Sequence, residues 1–469
     1  MPSAFNDSVR FLYSLGHELK VLKWDLERMR VLLAALGDPH RRGRFVHVAG
    51  TNGKGSTCAM IEAALRASGL RTGLYTSPHL VSPRERIFIE GQPISEEAWV
   101  AVFQEVRDAA ERLLAAEAIA AHPSFFETVT AMAFLAFARA GAEIAVLETG
   151  LGGRLDATNV VEHPEVAVIT PVDFDHEAFL GSSIESIAAE KAGILKEGSP
   201  AVFAAQRPEA LRVLENRALE LDIAVRHSAA WRVENLACDR YGSRFRLSGN
   251  SARPGRTARP GAVAESFDAA GRAARALVSD EEIPIECPLA GMHQVENART
   301  AVAALATMNV PAAAIRAGIA GVRWPGRLER VAASPEIILD GAHNPAGARA
   351  LADYIRQFFA HEPVRIVFGA MRDKAVEEVT NTLFPLAAEI ILTAPDQPRA
   401  LNPRALAEMG VDPAIHANLS GVRVADSIRA ALEMAKEMDA QRPMTTFVTG
   451  SLFLVGEARE WLGDGRYGR

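Results

Sequence analysis

The chain has 469 residues, with 51 Lys+Arg against 58 Asp+Glu for a formal net charge of −7, and 49% of its residues are hydrophobic. That length suggests two or three domains, the apolar content excludes a disordered chain, and the acidic balance argues against a dedicated nucleic-acid binder. Only seven basic residues are lysine (Lys20, Lys23, Lys54, Lys191, Lys196, Lys374 and Lys436), so a lysine inside a motif calls for a reason. The cysteines, Cys58, Cys238 and Cys287, are too scattered for a disulfide framework or a zinc site, which fits a reducing, cytoplasmic compartment. The first ten residues hold no apolar run of the signal-peptide kind. The most apolar stretch, 128–147, is interrupted by Arg139 and Glu143, and reads as a buried helix followed by a buried strand rather than a membrane span.

In chain order, short β-rich runs alternate with helical ones. Strands are expected at 45–49, 72–76, 144–148, 166–170 and 201–204, with helices such as 56–68 and 184–195 between them. Apolar strands separated by helices imply a parallel sheet covered on both faces. Residues 232–247 alternate like antiparallel strands. The segment 249–274, rich in Ala, Gly, Arg, Ser and Pro, reads as a surface insertion or mobile loop, and a helix over 294–308 follows. A second series of strands, at 337–339, 365–368, 390–393 and 446–448, makes a smaller α/β unit. The expected division is a domain over 1–322, a Trp-Pro-Gly-containing linker over 323–327, and a domain over 328–469.

The strongest local signal is Phe45-Val-His-Val-Ala-Gly-Thr-Asn-Gly-Lys-Gly-Ser-Thr57, an apolar strand running into a glycine-rich turn and a helix. Backbone N–H groups in such a turn form an anion cradle, Lys54 can reach outer phosphates, and Ser56 can place its hydroxyl on a magnesium ion. The spacing departs from the strict P-loop pattern, because Gly55 separates Lys54 from Ser56. The bland alternative is a glycine-rich turn with a capped helix. Glu148-Thr-Gly-Leu-Gly-Gly-Arg-Leu-Asp-Ala-Thr-Asn159 follows a second strand end, where open parallel sheets bind ligands, and puts Glu148 where a phosphate-loop metal site wants a carboxylate. At a third strand end Asp173, Asp175, His176 and Glu177 suit a divalent cation bound with phosphate, although any one carboxylate could simply be solvated. Lys191, in Glu190-Lys-Ala-Gly193, taken alone reads as a snorkelling surface lysine.

Together these motifs resemble the Mur ligase superfamily, and within it the folylpolyglutamate synthase/dihydrofolate synthase family. The ordered series also includes Ser77-Pro-His-Leu80, Ser124-Phe-Phe-Glu127, Asp175-His176, Gly291-Met-His-Gln-Val-Glu-Asn297, Trp324-Pro-Gly-Arg327, Asp340-Gly-Ala-His-Asn-Pro345 and Gly450-Ser-Leu-Phe-Leu-Val-Gly456. The implied fold is α/β: a P-loop-containing parallel-sheet N-terminal domain of the Mur ligase central-domain type, plus a smaller Rossmann-like C-terminal domain. By the resemblance, Asn52, Gly53, Lys54, Gly55, Ser56 and Thr57 bind ATP phosphates. Asn297, Arg327, Asp340 and His343 also contact ATP. Ser56, Glu148, His176 and Lys191, the last as a carbamate, hold magnesium, with two ions expected. Ser77, Pro78, His79, Leu80, Ser124, Phe125, Phe126, Leu155, Asp156 and Ala157 line a pterin site, where Asp156 could hydrogen-bond a pterin edge. Phe125 and Phe126 read equally well as core aromatics. Lys54, Lys191, His176 and Arg327 are the residues expected to be catalytic.

The implied reaction phosphorylates a substrate carboxylate from ATP, after which the α-amino group of L-glutamate displaces phosphate. The carboxylate belongs to dihydropteroate or a reduced folate. The expected partners are these small molecules, with no nucleic acid and no membrane, acting on a monomer. Competing readings are a UDP-peptide Mur ligase of cell-wall synthesis and a P-loop ATPase switch. The chain departs from the family at Pro171-Val-Asp-Phe174, where members often carry a small, Gly-containing stretch.

Overall fold

The computed structural model describes residues 3–16, 26–249, 282–372, 374–408 and 421–463. The segment 250–274, nearly all of the expected insertion, lies outside these, as do Lys20 and Lys23. The strands are β1 (Arg44–Ala49), β2 (Thr72–Tyr75), β3 (Ile87–Ile89), β4 (Gln92–Pro93), β5 (Ile144–Glu148), β6 (Val166–Ile169), β7 (Ala201–Phe203) and β8 (Val225–His227), then β9 (Trp231–Asp239), β10 (Gly242–Gly249) and β11 (Glu282–Cys287). After these come β12 (Glu329–Ala333), β13 (Glu336–Leu339), β14 (Val364–Phe368), β15 (Glu389–Leu392), β16 (Val422–Val424) and β17 (Thr445–Thr449).

The first eight form one sheet in the order β4-β3-β2-β5-β1-β6-β7-β8. β1 is central and runs parallel to both neighbours, Val46 facing Val146 on β5 and Val166 on β6. Its apolar residues are buried on both faces, which is why it reads as a continuous hydrophobic run rather than an alternating one. His47, fully buried within it, is held by burial at a pKa of about 3 and shares a 2.8 Å hydrogen bond between Nε2 and the Thr158 hydroxyl. The stretch 128–147 resolves into the helix Phe125–Ala140 and β5, as its pattern suggested. Gly141 ends that helix in the left-handed conformation, φ 65°, that stops helices cheaply.

β9, β10 and β11 make an antiparallel three-stranded sheet. Phe245, Leu247, Ile283 and Ile285 point from it into a core shared with the helix Met292–Thr307 and the helix Lys54–Ala67. The third sheet has the order β12-β13-β17-β14-β15-β16, parallel except for β12. Alternation along its strands feeds two cores. Ile338, Ile366, Phe368 and Phe447 meet one containing the helix Pro345–Phe359, while Ile337, Leu339, Val367 and Val448 meet one containing the helix Ile428–Asp439. No helix among the described residues is long and apolar enough to cross a membrane.

Candidate active site

The carboxyl end of β1 opens into a cavity of about 580 Å³, walled by residues from both large sheets. The turn after β1 is dictated by its glycines. Gly53 has φ 82°, and a Cβ there would stand 2.2 Å from Asn297 Oδ1. A Cβ on Gly55 would meet the Trp324 ring at 2.9 Å, so the Trp-Pro-Gly segment packs directly on the phosphate turn. The helix starts at Lys54, two residues before the sequence expectation. Its free N–H groups therefore begin beside the lysine. The backbone N–H groups of Thr51 and Asn52 instead donate to the Pro171 carbonyl, at 2.9 and 3.3 Å, so the stretch that departs from the family pattern takes part in shaping the turn. From the other side, Gln294 Nε2 donates to Ser56 Oγ at 3.2 Å, and Asn297 Nδ2 donates to Gln294 Oε1 at 3.0 Å.

Glu148, at the end of β5, is buried on the cavity wall and accepts the Ser77 N–H at 3.2 Å. Burial raises its pKa, against the opposing pull of Lys54, the Ser77 N–H and Arg327. Lys191 is buried too, and is not the surface lysine its local sequence suggests. Its Nζ donates to the Gly50 carbonyl at 2.8 Å, and burial, with Lys54 nearby, pulls its pKa down to about 7. Arg327 reaches into the space over Gly341, where a Cβ would sit 2.4 Å from its Nη1. Asp340 accepts the N–H groups of Leu328 and Ala342, both at 3.0 Å.

Asp175 and Asp173 are tied to loops and a helix of the α/β unit built on the third sheet. Lys374 Nζ donates to Asp175 Oδ1 at 2.6 Å and lies 3.5 Å from His176 Nε2. Asn344 Nδ2 donates to Asp175 Oδ2 at 3.1 Å and to Asn52 Oδ1 at 3.0 Å, and His343 Nε2 lies 3.6 Å from Asp175 Oδ2. Burial alone would raise the Asp175 pKa, but His343, Lys374 and His176 hold it well below the usual carboxylate range. Arg349 pairs with Asp173 at 2.8 Å. Burial, with Lys374 and Lys54 nearby and against the pull of Asp175, takes His176 down to about 4. It sits at φ 54°, a left-handed conformation uncommon outside glycine and found where a site constrains the backbone. Among the described residues no group of three or more His, Cys, Asp or Glu side chains is placed to hold a metal ion. At the strand end expected to bind a cation, Asp173 and Asp175 are engaged in ion pairs.

The cavity brings together Asn52, Gly53, Lys54, Gly55, Ser56, Glu148, His176, Lys191, Asn297, Arg327, Asp340 and His343 of the expected nucleotide and metal set. It also includes Ser77, Pro78, Ser124, Phe126, Leu155, Asp156 and Ala157 of the expected pterin set. Thr57, His79, Leu80 and Phe125 lie outside its lining. Thr57 is buried inside the helix. His79 is neutral through burial and beside Arg86, whose Nε donates to its Nδ1 at 2.9 Å. Leu80 packs against Gly326 and Gly456. Phe125 is a core residue between Tyr13, stacked at 5.4 Å, and the Arg86 guanidinium. The phenylalanine pair therefore divides, Phe126 packing on Gly150 at the cavity and Phe125 turning away. Asp156 lines the cavity, yet both its oxygens are occupied. Gly150 and Leu151 N–H groups donate to Oδ2, and the Thr158 N–H and hydroxyl to Oδ1. Its visible work is to shape the Gly150–Gly153 turn. Lys374, Asn344 and Gln294 were missed as site residues. Each carried a signal: lysine scarcity for the first, and motif membership for the other two.

A strand, glycine-rich turn and helix facing a second α/β sheet across one cavity define a class. The Mur ligase middle domain profile matches residues 48–305, and the Mur ligase glutamate ligase domain profile matches residues 326–452. The chain is 36% identical over 450 residues to dihydrofolate synthase/folylpolyglutamate synthase of Bacillus subtilis, covering 94% of this chain and 95% of that one. A Mycobacterium tuberculosis folylpolyglutamate synthase complexed with ADP superposes with a TM-score of 0.85 at 34% identity, covering 98% of each chain. An FPGS–AMPPCP–folate complex superposes with a TM-score of 0.77 at 30% identity, covering 98% of this chain and 99% of that one. The chain belongs to the dihydrofolate synthase/folylpolyglutamate synthase family of Mur ligases. It is an ATP-dependent ligase with the Mur ligase fold.

Proposed function

We propose that this ligase joins L-glutamate to dihydropteroate, to a reduced folate, or to both, through an acyl phosphate. The observation that carries this reading is the single cavity in which the phosphate turn, Glu148, Lys191 and Phe126 face Arg327, Asp340 and His343. A carboxylate does not form an amide at neutral pH without a leaving group. Transfer of the γ-phosphoryl group supplies one, and that step is mostly positioning and charge neutralisation. Lys54 and Arg327 are the cations for it. The α-amino group of glutamate then attacks the carbonyl carbon, and phosphate leaves. Because water would compete for the acyl phosphate, closure of the two sheets over the cavity has a chemical purpose.

Magnesium fits the donors present. Ser56, Glu148 and His176, with Lys191 as a carbamate, would hold it. The support is a buried carboxylate on the cavity wall and a buried lysine whose amine is neutral enough near pH 7 to add CO2. When bound with ATP, magnesium neutralises phosphate charge. Ser77, Pro78, Ser124, Phe126, Leu155 and Ala157 form the proposed pterin wall, with Asp156 shaping it. The division into 1–322 and 328–469 about a 323–327 linker is part of the same proposal. Trp324 on the phosphate turn and Arg327 over Gly341 support it, because the linker touches both halves. ADP release measured with ATP, magnesium and glutamate, comparing dihydropteroate, tetrahydrofolate and a UDP-peptide, tests the reading. Turnover is expected with one or both pteridines, and turnover with the UDP-peptide alone would overturn it.

A further inference from the structure

The turn joining β9 to β10 grips the far end of the helix Pro345–Phe359. Arg240 at the tip donates through Nη2 to the Phe358 carbonyl at 2.7 Å, pairs with Glu362, and lies over the Phe359 ring with its guanidinium carbon 4.1 Å from the centroid. The Tyr354 hydroxyl, on a side chain only 2% exposed, donates back to the Arg240 carbonyl at 2.8 Å. Arg330 of β12 covers the Tyr241 ring at 5.0 Å. The tip is stiff before it meets the helix, because Asp239 Oδ1 accepts the N–H groups of Tyr241 and Gly242 at 2.8 and 3.0 Å. A cation on terminal helix carbonyls is also favoured by the helix dipole.

The opposite end of this helix is at the active site. Asn344, its N-cap, bonds Asn52 and Asp175, and His343 precedes it. Fifteen residues separate the ends, a rigid lever of about 22 Å. The three-stranded sheet behind Arg240 packs on the helix Met292–Thr307, whose Gln294 and Asn297 brace the phosphate turn. The contacts thus form a closed ring that passes from phosphate turn to helix, sheet, Arg240 tip, second helix and back to the cavity.

We propose that the Arg240 tip is a positioning strut for ligation. By fixing the carboxyl end of the helix Pro345–Phe359, it sets His343 and Asn344 over the cavity, so that the glutamate amine reaches the acyl phosphate before water does. The proposal rests on the ligase reading. Without the strut, water attacks the acyl carbonyl carbon, the bond to the phosphate oxygen breaks, and the carboxylate and free phosphate return with no amide formed.

The test compares the full-length chain with Arg240→Ala, Arg240→Lys and Tyr354→Phe, counting ADP and amide in the same reaction and titrating ATP alone. The expected result for Arg240→Ala is several ADP released per amide and a roughly tenfold higher KM for glutamate, since small misplacements of reacting groups cost that much or more. Affinity for ATP should fall less than the glutamate KM rises, because Gln294 and Asn297 still brace the phosphate turn even if the Asn344–Asn52 bond loosens. Arg240→Lys, which keeps the charge and a donor, should recover most of the coupling, and Tyr354→Phe should show the Arg240→Ala effect in weaker form. One ADP per amide with unchanged glutamate KM in both Arg240→Ala and Tyr354→Phe would overturn the strut. So would a proportional loss of all activities with no change in coupling. Absence of glutamate-dependent turnover in the unaltered chain would instead overturn the ligase reading.

Discussion

A lysine amine near pKa 7 is a different reagent from an ordinary surface lysine. Lys191 reaches that state through burial and the neighbouring Lys54, while its Nζ holds the Gly50 carbonyl beside the phosphate turn. The neutral amine, not the ammonium, adds to CO2, so carbamate formation at fixed dissolved CO2 rises with pH through 7 and falls below it. The neutral share of the amine grows as pH rises through about 7. Activity in CO2-depleted buffer is therefore expected to drop and to return on adding bicarbonate. Lys191→Ala should lose most of the ligation rate with an unchanged far-ultraviolet spectrum. Near-normal turnover of that variant, or indifference of the unaltered chain to bicarbonate, would remove the carbamate from the account. Burial also explains what the residue list could not show. Asp156 has the chemistry to read a pterin edge, but four internal donors already occupy it, and no sequence pattern reports which acceptors a folded turn will use.

At the scale of elements, the turn after β1 depends on the absence of side chains. Gly53→Ala would put a methyl group 2.2 Å from Asn297 Oδ1 in a left-handed conformation that disfavours any side chain by about 1–2 kcal/mol. ATP affinity measured by titration calorimetry should fall at least about tenfold, and the melting temperature should fall with it. In the third sheet, Arg365 is fully buried and donates to Glu389 through Nε at 2.9 Å and to Asp439 through Nη1 at 2.7 Å. Arg365→Met would strand two carboxylates, at a cost of about 3–5 kcal/mol by denaturant unfolding. A loss below about 1 kcal/mol would show that the pairs do not matter to stability. The apolar strands β1, β5 and β6 were legible because both faces are buried and their hydrophobic runs are continuous. The short strands β3, β4, β8 and β16, at or next to sheet edges, are two or three residues each, too short to show a period, and β11 follows a stretch whose composition masks it. The site was legible where a motif fixed backbone geometry, as at Gly53 and Gly55. It was illegible where distant elements supply the partner, as with Lys374 on Asp175.

Across the whole molecule, the cavity exists only because two sheets face each other. Arg349 on Asp173 and Lys374 on Asp175 cross that boundary on the cavity side, and Arg240 crosses it about one helix length away. Closure of this kind keeps water from an activated carboxylate, so the molecule should hydrolyse little ATP until both the pteridine and glutamate are present. A P-loop switch would hydrolyse ATP with no small-molecule acceptor. The acyl phosphate itself is the central claim, and oxygen tracing tests it most directly. With the substrate carboxylate labelled with ¹⁸O, a single carboxylate oxygen should appear in the inorganic phosphate for each amide formed. Amide formation with no label in the phosphate would contradict the account.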